Sequence, residues 1–183
     1  VDVGSKDLTI SIAQIQGANV IKSLKKNRGY QLKIGALSAR GDWILFIHAD
    51  SRLDPTWVNS LLKIIKGKTS KNHAWYFDFK IKNSNLEFRL LELAVALRSN
   101  FLQRPYGDQG LLIHKNLYYL SGGFNSLKIM EDLDLIIRIT KKNKAKTISE
   151  NIYTDDIKWA KSNIIRRAIK NARLRNKWRK GYN

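Results

Sequence analysis

Cysteine is absent from the 183 residues, and histidine occurs only at His48, His73 and His114. Disulfides and thiolate metal sites are therefore excluded, and three scattered histidines make no zinc cage, so any metal here is a hard ion held by oxygen. No apolar run approaches the length needed to cross a bilayer, and the first residues carry no basic stretch followed by an apolar one, as a secretory signal would. Cytosol is the default location. Neither a Walker-type loop nor a glycine-rich dinucleotide fingerprint is present, which counts against nucleoside triphosphate hydrolysis and hydride transfer. Acids are scarce as well: 15 Asp and Glu stand against 34 Lys and Arg, leaving a formal charge of +19.

What is present fits one folded domain. A chain of this length with 43% hydrophobic residues fills a sizeable core. Lysine written alongside many Asn and Ile can reflect nothing more than genome composition; otherwise the positive charge implies an anionic partner, either nucleic acid, a membrane surface or a phosphorylated substrate. From Ile157 to Asn183 there are ten Lys and Arg and no acid, so part of the excess is a C-terminal feature.

Along the chain, "VDVGSKDLT" reads as a strand end running into a turn, with Asp7 capping a helix over Leu8–Gln16 that Gly17 ends. Val20 and Ile21 form a short strand candidate. Helical spacing follows over Arg28–Arg40, and the continuous apolar run Trp43–Ile47 reads as a strand buried on both faces. Pro55 suits the first turn of a helix whose apolar face is Trp57, Leu61, Leu62 and Ile65. Strand and helix thus alternate in the manner of a parallel sheet covered by helices, where ligands gather at the carboxyl ends of strands. Further on, Trp75–Ile81 alternates as a strand, Leu86–Arg98 reads as a helix, "RPYGDQG" as a polar loop before the strand Leu111–Ile113, "LSGGF" as a turn, and Asp132–Lys142 as a helix.

Carboxylates cluster at Asp2 and Asp7, at Asp50 with Asp54, and at Glu131, Asp132 and Asp134; Asp108 and Gln109 make a fourth polar site. Most have a plain structural explanation: Asp7 as a cap, Asp54 before a proline helix start, Glu131 and Asp132 at the positive end of a helix dipole. Asp50 has none, because it follows an apolar strand and precedes the next helix by several residues. A carboxylate there can hold Mg2+ or Mn2+ against a diphosphate, and a second one on another loop can take a proton from an attacking hydroxyl. Two acids with separate tasks suit a group transfer.

Four stretches, "VDVGSKDLT", "GDWILFIHADSRLDPTW", "RPYGDQGLLIHK" and "LSGGFNSLKIMEDLDLIIRI", resemble in order and spacing the family 2 glycosyltransferases, and most of all the bacterial branch associated with radical-SAM and selenoprotein-type domains. The resemblance runs to about Trp159. It implies a GT-A-like, doubly wound mixed α/β sheet flanked by helices, with a catalytic domain over residues 1–157 and a basic helical tail over 158–183. It implies too that a strand and helix normally ahead of the "VD" turn are absent, so that the sheet lacks its first strand.

Position by position, the resemblance implies that Asp2 contacts the base of a nucleoside-diphosphate sugar, with Ser5 and Asp7 shaping that turn, and that Asp50 is the last aspartate of a metal-binding "DXD" element whose first aspartate is here His48. Asp50 and His48 are the metal and diphosphate candidates, His48 being open between ligating the ion, bonding a phosphate and only packing. Glu131 and Asp132 match the family's acidic pair, Asp132 being the general base that deprotonates an acceptor hydroxyl, with inversion at the anomeric carbon. Tyr106, Gly107, Asp108 and Gln109 match a loop on the acceptor side. Lys158-Trp159 falls where relatives carry an Arg-Trp pair. The expected donor is a UDP-sugar, the cofactor a divalent cation, the acceptor a sugar or lipid-linked hydroxyl, and the location cytoplasmic, with peripheral contact at an anionic inner membrane through the tail. The competing reading is a non-catalytic basic module binding anionic membrane or nucleic acid. Nucleic-acid modules interleave aromatics with the basic patch; here only Trp159, Trp178 and Tyr182 qualify, so no specific nucleic acid is expected.

Overall fold

The computed structural model describes residues 1–83, 85–154 and 164–181, and, in the last helix, side chains from residue 170 onward. Two helices come first, α1 (Thr9–Ile15) and α2 (Arg28–Ser38), then strand β1 (Trp43–Phe46), the short β2 (Arg52–Leu53) and helix α3 (Trp57–Lys66). The long strand β3 (His73–Ile81) leads to α4 (Leu86–Phe101), β4 (Leu111–His114), α5 (Lys115–Leu120), α6 (Glu131–Thr140), the eleven-residue β5 (Lys144–Thr154) and α7 (Ile164–Arg179). Asp7 sits one residue outside the cap position of α1 and accepts the Thr9 N–H at 3.1 Å, while Gly17 ends the turn with φ +80°. Asn27 caps α2 through its Oδ1, which accepts from the Tyr30 N–H at 2.8 Å.

The sheet is mixed, in the order β1-β4-β3-β5-β2. Only β3 and β5 run parallel; β1 with β4, β4 with β3, and β5 with β2 are antiparallel. The mixed sheet agrees with the family resemblance and corrects the purely parallel pattern that the early strand and helix alternation suggests. Val20-Ile21 contributes no full strand; a single parallel bridge joins Asp2 to Lys22. Nor is β1 buried on both faces: of its four residues only Ile44 is fully buried. Its place at an edge of the sheet accounts for that, since an edge strand has a neighbour on one side only.

Period-two alternation divides the core between the two faces of the sheet. Ile44, Ala74, Tyr76, Leu111, Ile113 and Ala145 pack with Leu117, Tyr118, Leu135, Ile136 and Ile139 from α5 and α6. The alternate residues Trp43, Leu45, Trp75, Phe77, Leu112, Ile148 and Ile152 pack on the other face against Leu61, Trp57 and Ile64 of α3. Helix α4 covers the far end of β3 through Phe88 and Val95 against Phe79 and Ile81. Between Tyr76 and Asp78 the β3–β5 register slips, and Ser149 on β5 adopts φ +60° where the extra residues bulge out. The boundary expected at 157/158 lies outside the described residues, while α7 agrees with the expected basic helix.

Candidate active site

Three loops and two helix starts converge where β1 ends. Ser51 donates its N–H to the His48 carbonyl at 3.1 Å, turning the chain sharply after the strand so that His48 and Asp50 stand at its carboxyl end. Asp54, the neighbour that the sequence groups with Asp50, turns away and accepts from Asn151 Nδ2 at 2.9 Å. Asp134 is likewise drawn off, holding Arg138 at 2.7 Å and Asn125 at 2.9 Å.

Glu131 and Asp132 open α6, after Met130 in the left-handed region at φ +57°, and their charge faces the positive end of the helix dipole. Their partners show more than that. Asp132 Oδ2 accepts the backbone N–H of Gly107 at 2.6 Å and Oδ1 accepts that of Leu133 at 2.8 Å. Glu131, only 4% exposed, forms an ion pair with Arg28 Nε at 3.0 Å. Burial, and then the charge of Asp132 beside it, push the Glu131 carboxyl above its ordinary range, with Arg28 opposing them.

Arg28 reaches further, since its Nη2 contacts Nε2 of His48. On the other side of the imidazole, Nδ1 lies 4.0 Å from Asp50 Oδ1. In this arrangement His48 stands between Arg28 and Asp50. Arg28, a residue in no sequence motif, thus links the Glu131 end of the site to the Asp50 end. It reaches both because Gly29 lets α2 approach α6: a Cβ there would lie 2.1 Å from the Asn125 carbonyl oxygen and 3.2 Å from Glu131 Cβ.

The loop before β4 closes the other side. Tyr106 lies under the guanidinium of Arg98, 3.7 Å from ring centroid to Cζ, and its hydroxyl accepts from Arg175 Nη1 of α7 at 3.1 Å. Burial raises the Asp108 carboxyl above its ordinary range, the charge of Asp132 adding to this and Arg98 opposing it; Asp108 Oδ1 has no hydrogen-bond partner among the described residues. Gln109 is 1% exposed and turned inward, accepting from Ser99 at 2.7 Å and Arg98 at 3.1 Å and donating to the Phe77 carbonyl at 3.2 Å. Its side chain thus anchors the loop and does not face the site. Between these walls lies a narrow cavity of about 30 Å³, lined by Arg28, His48, Tyr106, Gly107 and Asp132 with apolar Phe46 and Ile136. That is room for about one water.

Beyond Asp50 is a wider polar hollow of about 300 Å³ bounded by Ser51, Arg52, Lys82 and Tyr153. Its two cations suit an anionic group, and of the two Lys82 belongs to no motif. At the chain's start, Asp2 is held by its backbone to Ile21 and Ser23, and its carboxylate accepts from the Gly4 and Ser5 N–H groups and the Ser5 hydroxyl at 2.6–2.7 Å. The hydrogen bonds from Ser5 keep its carboxyl below the usual range. Val1, next to it, lines an open groove along β1 that ends at Asp50. Trp159 lies outside the described residues.

Among the described residues no three His, Asp or Glu side chains gather around one point. A Mg2+- or Mn2+-type ion keeps few protein carboxylates and completes its sphere with phosphate oxygens and water, so the single carboxylate of Asp50 is compatible with one. Asp50 is the residue that would hold it.

The fold is similar to that of several solved glycosyltransferase structures. TarS from S. aureus (residues 1–349) aligns over 85% of this chain and 50% of its own, with a TM-score of 0.61 at 13% identity. Glucosyl-3-phosphoglycerate synthase from Mycobacterium tuberculosis, in complex with Mn2+ and UDP-glucose, aligns over 84% and 57%, with 0.54 at 18%. GalNAc-T7 with UDP, GalNAc and Mn2+ aligns over 82% and 35%, with 0.58 at 11%. The chain spans little more than half the length of these structures at most. No curated protein sequence matches it. Residues 1–127, covering the "VD" turn, the His48–Asp50 element, the Tyr106–Gln109 loop and the glycine turn, match the model of glycosyl transferase family 2, and the chain belongs to that family.

Proposed function

We propose that this chain transfers a sugar from a nucleoside-diphosphate donor, UDP in the first instance, to an acceptor hydroxyl with inversion at the anomeric carbon. The observation that carries the reading is the convergence of Asp132, Gly107, Arg28 and His48 on one narrow cavity, with Asp50 4.0 Å from His48 and lining the adjoining hollow. Asp132 is the base. Its two oxygens are fixed by the Gly107 and Leu133 N–H groups, which orient the carboxylate without supplying it a proton. The acceptor hydroxyl gives its proton to Asp132 as its oxygen attacks the anomeric carbon, and the bond to the diphosphate breaks on the opposite face. Glu131 holds Arg28, and Arg28 holds His48, so the base side and the diphosphate side keep a set separation.

On the leaving-group side, Asp50 would hold the divalent cation, which when bound neutralises charge on the departing diphosphate. Arg52 and Lys82 border the same hollow and add positive potential of the protein's own. Asp2, with Ser5 and Asp7 shaping its turn, would meet the nucleobase.

The test is calorimetric titration of UDP, with GDP as comparison, with and without Mn2+, into the wild-type chain and Asp50→Asn. Mn2+-dependent UDP binding that disappears in Asp50→Asn is the expected result. UDP binding unchanged by Asp50→Asn, or its absence in a chain that unfolds cooperatively, overturns the reading.

A further inference from the structure

Helix α4 buries Phe88, Glu92, Val95 and Ser99 and turns its other side to solvent. That other side is apolar. Leu86, Leu90, Leu93, Leu97 and Phe101, continued by Leu102, are between 48% and 78% exposed. The spacing from Leu86 to Phe101, of four, three, four and four residues, keeps them in one stripe along the helix. The exposed positions beside the stripe are Glu87, Arg89, Ala94 and Asn100. Arg89 is already paired with Glu92 at 2.6 Å, which leaves Glu87 as the one charge beside the stripe without an ion-pair partner among the described residues. A continuous apolar face of this size on a charged protein marks a contact surface.

The occupant follows from what lies at the stripe's end. Helix α4 runs through Leu102 into the Pro105–Tyr106 loop, and Arg98 of α4 and Arg175 of α7 grip the two ends of Tyr106. On α7, Lys170, Arg173, Lys177 and Arg179 are exposed, with Lys180 just past its end, and no acid is present from Ile164 to Arg179. Apolar side chains on α4, joined through Tyr106 to a helix whose exposed cations have no ion-pair partner among the described residues, suit a surface that is apolar inside and anionic outside. A second copy of the chain would bring a second helix of like charge to the same place. No helix among the described residues is long and apolar enough to cross a bilayer, so the contact is with its face.

We infer that the α4 stripe docks on an anionic lipid bilayer, with α7 supplying the attraction, and that this sets the Tyr106 loop against the membrane. The inference goes beyond the transferase reading and does not depend on the donor.

The experiment is co-sedimentation of the full chain with phosphatidylcholine vesicles, with and without phosphatidylglycerol, for wild type, Leu90→Gln/Leu93→Gln and Arg173→Glu/Lys177→Glu. Thermal unfolding establishes that each variant is folded, and light scattering measures mass without lipid. Expected is binding that requires phosphatidylglycerol, weakens as salt is added, and falls at least tenfold in each double variant. Equal binding by Leu90→Gln/Leu93→Gln overturns the inference, as does equal binding to vesicles without phosphatidylglycerol. A wild-type dimer that this leucine variant turns into a monomer makes the stripe a self-association surface and also overturns it. UDP titration of the same preparations reads the transferase proposal separately.

Discussion

The backbone N–H of Gly107 donates to Oδ2 of Asp132 across 2.6 Å, joining the loop before β4 to the first turn of α6. The proposed base is thus oriented by main chain, which has no rotamers to lose. Substituting Asp132→Asn keeps the shape and removes the basicity. Transfer should fall by about 10²- to 10⁴-fold, the usual worth of a positioned base. Nucleotide binding by calorimetry should stay within about threefold of wild type if the base acts on the acceptor alone.

Gly107 itself is the sharper probe. A Cβ at this position would lie 2.7 Å from Arg28 Nη2, 3.0 Å from Asp132 Oδ2 and 3.1 Å from His48 Nε2. All three are ends of side chains, which move more readily than backbone. Gly107→Ala should therefore unfold at nearly the wild-type temperature while transfer drops at least tenfold. A parallel loss of stability and activity would show that the loop, and not the arrangement around Asp132, had failed.

Gly29 makes the opposite case. There the added Cβ meets a backbone carbonyl at 2.1 Å, and main chain cannot step aside cheaply. Gly29→Ala should destabilise by about 1–3 kcal/mol or more, as overpacking does, read as a lower urea midpoint at unchanged slope. Because Gly29 seats Arg28 against Glu131, the variant should lose activity as well.

The buried Glu131 carboxyl has a raised pKa in the fold, caused first by burial and then by Asp132. A raised folded value means that the native state holds the proton more tightly than the unfolded chain. This contribution to stability is whole below the unfolded pKa and is lost as the pH rises through the folded one. Glu131→Gln removes the charge and keeps the volume. Its stability relative to wild type should improve as the pH rises over that interval, which denaturation at a series of pH values will show. A difference that stays flat with pH would mean that Arg28 compensates the buried charge in full.

Much of the architecture is legible in the sequence wherever a local pattern decides it. The apolar faces of α3 and α6, the glycine turn at Gly122 and Gly123, and the placement of His48 and Asp50 just past a strand all follow from periodicity and turn chemistry. The strand β5 was not legible: Lys144–Thr154 mixes polar and apolar residues, and its bulge at Ser149 breaks the alternation that would reveal it. Helix α5 is six residues long and leaves little periodic signal. At the site, the acidic residues stand out in a basic chain, whereas Arg28, Arg98 and Lys82 are hidden among 34 Lys and Arg. Only the approach of α2 to α6 singles out Arg28. Gln109 misleads in the other direction, since its motif suggests a ligand contact and its buried hydrogen bonds make it an anchor.

The parallel pair at the middle of the sheet sets the order in which the molecule can be made. β3 begins at His73, and its partner β5 begins only at Lys144, with α4, β4, α5 and α6 between them. Until the ribosome has released that second strand, β3 has one edge open and the inner faces of α4 and α6 have no finished sheet to rest on. Closing so long a loop costs chain entropy before any contact repays it, which places folding toward the slower end for a domain of this size. In the cell, the interval between synthesis of β3 and synthesis of β5 is when this chain is most exposed to aggregation, and when a chaperone has most to offer it.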